Sequence, residues 1–416
     1  MIKTVDLKHG ARVLFEPIPY VNSVSVGIWV KTGSVNENSS NYGISHFIEH
    51  MTFKGTPSRT ARQIAEDVDR IGGQMNAFTS KETTCYYVKT IDSNICQAAE
   101  VLLDMFFHSS YDPEEMEKEK QVVYEEINMH DDSPEDDVSD TFFEVLFNNH
   151  PLGTEILGTK EILSGFTPDD LRAYVSDNYT AGNVLISVCG KYDEAALLDT
   201  FERFFSELST KEQKKVVYPD SYTPDFLFKE RDIEQVHICM GTRGPEIDGD
   251  LYYAANILSG VLGGSMSSRL FQSIREEKGL AYSVYSYLSS YTHDGCFGIY
   301  AGVGADRLEE TVDLIKAELD LLSRKGITED EFFSSKEQLK SSYIFSLENV
   351  TGRMAANGKS MLLTNKILTQ DETIEKISSV TQDDIRKVID IFADLGSYSA
   401  AATGRTESDL KHLINK

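Results

Sequence analysis

Apolar and polar positions along the first half of the chain switch between a period of two and a period near 3.6, and the switching lays out its elements. Residues 3–16 alternate about Lys8-His9-Gly10 as the two arms of a hairpin do. Val24, Val26, Ile28 and Val30 predict a half-buried strand, followed by a polar loop from Thr32 to Asn41. Ile44, Phe47, Ile48 and Met51 then fall at i, i+3, i+4 and i+7, the buried face of a helix. Thr60 reads as the N-cap of the next helix, which carries Ile64, Val68 and Ile71 and stops at Gly72-Gly73. Strands are predicted at 74–79 and 83–90, then a helix burying Ile95, Ala98, Leu102 and Phe106. Asp112-Pro113 opens a charged helix to about Met129, and another spans roughly 133–147 before the turn His150-Pro151-Leu152-Gly153. Thr167-Pro168 starts a helix to about Asp177, and 184–190 reads as a buried strand.

The second half repeats the first at an offset of 214 residues. Thr167-x-Asp169-Asp170-Leu171-Arg172 recurs as Thr381-x-Asp383-Asp384-Ile385-Arg386, and the strand ending Gly190-Lys191 recurs as one ending Gly404-Arg405. Ile44-Ser45-His46-Phe47-Ile48-Glu49-His50 lies over Leu258-Ser259-Gly260-Val261-Leu262-Gly263-Gly264, so the apolar positions persist while His46, Glu49 and His50 become glycines. Residues 1–210 and 226–416 therefore read as two copies of one unit, joined by a Lys-, Tyr- and Pro-rich linker at 211–225.

Composition narrows the partners. A formal net charge of −27 repels nucleic acid and anionic membranes and favours basic or neutral partners. The longest apolar runs fall short of a membrane span, and Met1-Ile2-Lys3-Thr4-Val5-Asp6 does not read as a signal peptide. Cys85, Cys96, Cys189, Cys239 and Cys296 are odd in number and scattered, which argues for a reducing, cytoplasmic setting and against cysteine as a metal ligand.

The chemistry concentrates at His46-Phe47-Ile48-Glu49-His50. Imidazoles four residues apart share one side of a helix and can grip one metal ion, with Glu49 beside them to take a proton from water. This His-x-x-Glu-His order is the inverzincin signature, the reverse of the commoner His-Glu-x-x-His. A catalytic zinc needs a third protein ligand. Glu125 and Glu126 on the helix after Pro113 are the candidates, and Glu119 shares a face with Glu126 two turns away. Helix geometry alone leaves Glu125 and Glu126 equivalent, and most charges of that helix read as a solvated face.

His46 to His50, followed about 76 residues later by a glutamate, resembles the pitrilysin/insulinase metallopeptidase family. The chain is most similar to its branch of short homodimeric bacterial processing peptidases, related to the mitochondrial processing peptidase. The resemblance spans essentially the whole chain. It implies an α+β fold of two duplicated domains, each a mostly antiparallel sheet with helices packed on it, only the first holding metal. It implies that His46, His50 and Glu126 ligate one Zn²⁺ per chain, with Glu49 as general base and Glu119 supporting the ligands; the spacing from His50 then selects Glu126 over Glu125. Asn76-Ala77-Phe78-Thr79 resembles the edge strand on which substrate lies as an added strand, and Phe53 matches an apolar wall of the site. In the second half, Ile274-Arg275-Glu276-Glu277-Lys278-Gly279-Leu280-Ala281-Tyr282 resembles the paired Arg and Tyr that reach the scissile carbonyl. Without the resemblance, Arg275 and Tyr282 would read as a surface Arg and a core Tyr.

The resulting expectation is a cytoplasmic, homodimeric zinc endopeptidase acting on unstructured and preferentially basic peptides in an enclosed chamber. A catalytically idle scaffold and a peptide-binding chaperone are the alternatives. The intact His46, Glu49, His50 and Glu126 argue against the first.

Overall fold

A computed structural model describes residues 2–206, 208–211, 215–219, 222–406 and 408–415. The chain packs as two compact units. The first comprises residues 1–128, 154–217 and 346–367, and the second residues 129–153, 218–345 and 368–416. These units cut across the contiguous halves 1–210 and 226–416. Of the expected linker 211–225, residues 212–214, 220 and 221 lie outside the described residues.

In the first unit, β1 (Lys3–Asp6), β2 (Arg12–Pro17), β3 (Ser23–Val30), β4 (Gln74–Thr79), β5 (Thr84–Ile91) and β6 (Val184–Gly190) form one sheet in the order β1-β2-β6-β3-β5-β4. Every pairing is antiparallel except β2 with β6. In the second unit, β7 (Phe226–Glu230), β8 (Gln235–Gly244), β9 (Ala281–Ser290), β10 (Gly295–Gly304) and β11 (Ser399–Gly404) follow the order β7-β11-β8-β10-β9. Only β7 with β11 is parallel there. The second order repeats that of β2 to β4, and the fold is α+β with a duplicated, mostly antiparallel plan. The repeat extends to detail. Thr167 and Thr381 both cap their helices with a reciprocal box, and Gly190 and Gly404 both end their strands at positive φ.

The exchange between halves follows from where apolar faces find cover. The first sheet buries one face under α1 (Ile44–Thr52), α3 (Ile95–His108) and α4 (Pro113–Asp131), through Val26, Ile28, Phe47, Ile48, Leu102 and Val123. α2 (Ala61–Arg70) packs on α3 through Ile64 and Val68. The other face carries Leu14, Trp29, Cys85 and Leu185, and is covered by Met354 and Leu362 of the late helix Val350–Thr364. Subtracting 214 from that helix gives the position of α5 (Pro134–Leu146), which belongs to the second unit and packs on β8 and β11. Each copy thus lends the equivalent helix to the other's sheet. Such a helix cannot be assigned to a unit from local pattern, because its periodicity states that it buries a face and not against what.

Candidate metal centre

α1 is short, and its start is fixed by contacts outside it. Gly43, its N-cap, sits at φ 89°, and a Cβ there would come within 2.5 Å of the Leu157 carbonyl oxygen, so glycine is required. With no side-chain cap on Gly43, the helix N-terminus is closed by Glu37, whose carboxylate accepts from the Gly43 N–H at 2.7 Å and the Ser45 N–H at 2.9 Å. Burial pushes the Glu37 carboxyl up to about 7 against the opposing pull of those hydrogen bonds. Its folded value lies above the unfolded one, so its stabilising contribution is complete below about 4.5 and is lost as pH rises to about 7. We predict that Glu37→Gln removes this contribution, so the stability advantage of the metal-free parent over the variant narrows between those pH values; denaturant titrations of both proteins at pH 4.5 and 7.5 in chelator check it.

The tilt of α1 aims His46 and His50 toward α4. His46 Nε2 lies 3.7 Å from Glu126 Oε1, and His50 Nε2 lies 3.4 Å from Glu126 Oε2. One donor atom from each of the three falls within 4.8 Å of the others. Tetrahedral zinc with bonds of about 2.0–2.1 Å separates its ligand atoms by roughly 3.3–3.4 Å, so the set needs only small closure. Two imidazole nitrogens and one carboxylate also suit a catalytic zinc. Glu125, one residue earlier on α4, is exposed and is not in the group. The helix phase that buries Glu119, Val123 and Ile127 turns Glu126 partly inward and Glu125 out.

His50 is oriented from behind. Its Nδ1–H donates to Glu119 Oε1 at 2.8 Å, since a carboxylate can only accept, and Nε2 faces Glu126. Lys54, in the turn after α1, pairs with the other oxygen of Glu119, which is only 4% exposed. Burial tends to lower His50, but hydrogen bonds to Glu119 and Glu126 outweigh it and raise the imidazole to about 9. His46 goes the other way, to about 4, through burial first and then the charge of His50. Its Nδ1 is buried with no hydrogen-bond partner, so nothing holds that ring from behind as Glu119 holds His50. Loading a metal requires the proton on His50 Nε2 to leave, which makes affinity rise with pH. Glu119→Gln is expected to weaken zinc binding about 10–100-fold, and Lys54→Met less, in a competitive chelator titration.

Glu49 lies on the β4 side of α1. Thr79, the last residue of β4, donates its hydroxyl to Glu49 Oε2 at 2.6 Å. Burial raises the Glu49 carboxyl above its ordinary range, while the Thr79 hydrogen bond pulls it down.

The remaining predicted site residues divide by face. β4 is an edge strand of its sheet, and its residues alternate between the two faces. Ala77 and Thr79 share the α1 face, opposite Tyr86 and Thr84. Phe78 lies on the far face beside Trp29, with ring centroids 5.5 Å apart. Asn76 turns its amide oxygen onto the Ala77 N–H at 2.9 Å. Phe53, at the end of α1, packs against the cluster of Ile64, Val68, Val101 and Met105. Arg275 and Tyr282 belong to the second unit and adjoin each other there. Arg275 donates to the Tyr282 carbonyl at 2.8 Å and its guanidinium lies 4.8 Å from the Tyr282 ring centroid. Tyr282 is 79% exposed, not a core residue. The second unit's counterpart of α1 is the helix Tyr252–Gly263, and a Cβ at Gly263 would come within 2.3 Å of the Ser286 nitrogen. Glycine at the position that corresponds to Glu49 permits close packing on β9. Glu37 and Lys54 were missed in the sequence; both lie within nine residues of the motif, but nothing in their spacing marks a cap or an ion pair.

Comparison with known proteins gives the family of the chain. Residues 12–160 match the family described as insulinase (peptidase family M16), and residues 165–339 match the peptidase M16 inactive domain. An uncharacterized zinc protease of Bacillus subtilis is 47% identical over 380 residues, covering 91% of this chain and 93% of its own. One from Rickettsia felis is 39% identical over 380 residues, covering 91% and 92%. Among solved structures, a protease from Helicobacter pylori superposes with a TM-score of 0.88 at 24% identity, covering 97% of this chain and 99% of that one. A peptidase M16 inactive domain from Pseudomonas fluorescens gives 0.91 at 17% identity, covering 98% and 99%. These two likenesses concern the fold. With both of its parts matched in order and relatives of this identity along nearly its full length, the chain belongs to the M16 peptidase family, the insulinase family.

Proposed function

We propose that the chain is a zinc-dependent endopeptidase that hydrolyses unstructured peptides or extended segments. The observation that carries this reading is the convergence of His46, His50 and Glu126 with Glu49 one residue from a ligand. Zinc held by these three would supply the positive charge that acidifies water and polarises a peptide carbonyl. Glu49 takes the proton from the attacking water and passes it to the leaving amine. The outer edge of β4 offers main-chain hydrogen bonds to an extended peptide, which selects conformation more than sequence. Arg275 and Tyr282 are assigned as donors to the developing oxyanion; one such donor is worth roughly 3–4 kcal/mol of barrier. Tyr282→Phe and Arg275→Ala are therefore expected to keep zinc and lose on the order of a hundredfold or more in kcat/KM. Parent-like cleavage by both would remove the second unit from the chemistry.

The chain is further proposed to act in the cytoplasm as a homodimer around an enclosed chamber, with basic peptides captured fastest at low salt. No helix among the described residues is long and apolar enough to cross a membrane, and the five cysteines are free thiols. Light scattering at the 46.6 kDa of one chain would argue against the dimer. Zinc analysis together with cleavage of a short unfolded peptide tests the central reading. Zinc with no cleavage would favour the scaffold or chaperone alternatives.

A further inference from the structure

We propose that Thr79 is a positioning residue for Glu49, holding one carboxylate oxygen so that the other takes the proton of water. The inference rests on Glu49 acting as the base. The resemblance assigned Thr79 to the strand on which the peptide lies. Its side chain points instead to α1, where its single hydroxyl proton is donated to Glu49 Oε2 at 2.6 Å. A glutamate on a helix has three side-chain torsions, and its carboxylate would otherwise sample several orientations beside the ligands. Threonine in a strand is stiff about χ1, so its donor is a fixed point.

The hairpin end that carries Thr79 is itself held. Ser80 N–H donates to the Thr83 carbonyl at 2.8 Å, and Ser80 Oγ donates to the same carbonyl at 2.9 Å. The carbonyls of Ser80 and Lys81 accept from the Ser34 and Val35 N–H groups at 3.3 and 2.9 Å. That second strand of chain leads directly to Glu37, which closes the start of α1. The tip of the β4–β5 hairpin and the helix bearing Glu49 are thus referenced to one loop. If the peptide pairs with the outer edge of β4, the same strand registers both the scissile bond and the base that serves it.

The test compares Thr79→Val, Thr79→Ala and Thr79→Ser with the parent at full zinc loading. Valine and alanine, which lack the donor, should lower kcat on the order of ten- to a hundredfold and leave KM within about twofold. Serine, which keeps the hydroxyl, should restore kcat to within a few-fold of the parent. Zinc stoichiometry and thermal unfolding should match the parent. In the Glu49→Gln background, adding Thr79→Val should leave the affinity for a labelled, uncleaved peptide unchanged by fluorescence anisotropy. A rise in KM or a loss of peptide affinity would make the side chain a substrate contact and overturn the proposal. Loss of zinc from both the valine and alanine variants would make it structural, with the same consequence, as would parent-like kcat in both. If the zinc-loaded parent cleaves no peptide, the function itself fails and takes this inference with it; failure confined to the Thr79 variants leaves the function standing.

Discussion

Glu49→Gln is expected to bind zinc as the parent does and to lose roughly two to four orders of magnitude in kcat. Glutamine matches glutamate in size and can still accept from Thr79, so the local packing is kept while the proton acceptor is lost. His46→Ala and His50→Ala should fail differently, losing metal and turnover together, because each removes one of three donors. Zinc content by elemental analysis, measured beside the cleavage rate on the same samples, separates the two classes. A zinc-free Glu49→Gln protein would place Glu49 among the ligands and dissolve the division of roles.

The second large effect concerns two adjacent glutamates. Glu126→Gln should weaken zinc binding by well over a hundredfold, beyond the loss usual for residues that only support a ligand. Glu125→Gln should change it little, since that side chain is exposed and outside the donor group. The contrast is sharp because the substitutions are chemically identical and one residue apart on the same helix. Glu126→Gln also frees both His50 Nε2 and His46 Nε2 of their carboxylate, so the histidine pair loses its charge partner as well as its co-ligand. Equal losses in a zinc titration would mean that α4 presents a different face to the metal.

Much of this was legible in the chain. The helical spacing of Ile44, Phe47, Ile48 and Met51 located α1 and put His46 and His50 on one side of it. The caps at Thr60 and Thr167 and the proline opening α4 fell where they were expected. These are local matters, decided within one or two turns by torsional preference, hydrogen-bond closure and the side-chain period. The duplication was readable for the same reason, since equal local patterns recur at a constant offset. Tyr282 was different: alternation in a strand does not say which face is covered, and its ring proved exposed.

By itself, then, the sequence determined the elements, the repeat and the histidine pair. Only the tertiary structure decided which partners those elements meet. Glu37 closing α1, Lys54 meeting Glu119, Thr79 meeting Glu49, and α5 and the Val350–Thr364 helix exchanging units are all set by contacts between segments distant in sequence or by the path of a loop. Even Glu126 over Glu125 depends on the rotation of α4 against the core, a phase fixed by the burial of Val123 and Ile127. Periodicity encodes that a face is buried; the angle at which it meets its cover is settled only when both surfaces pack together.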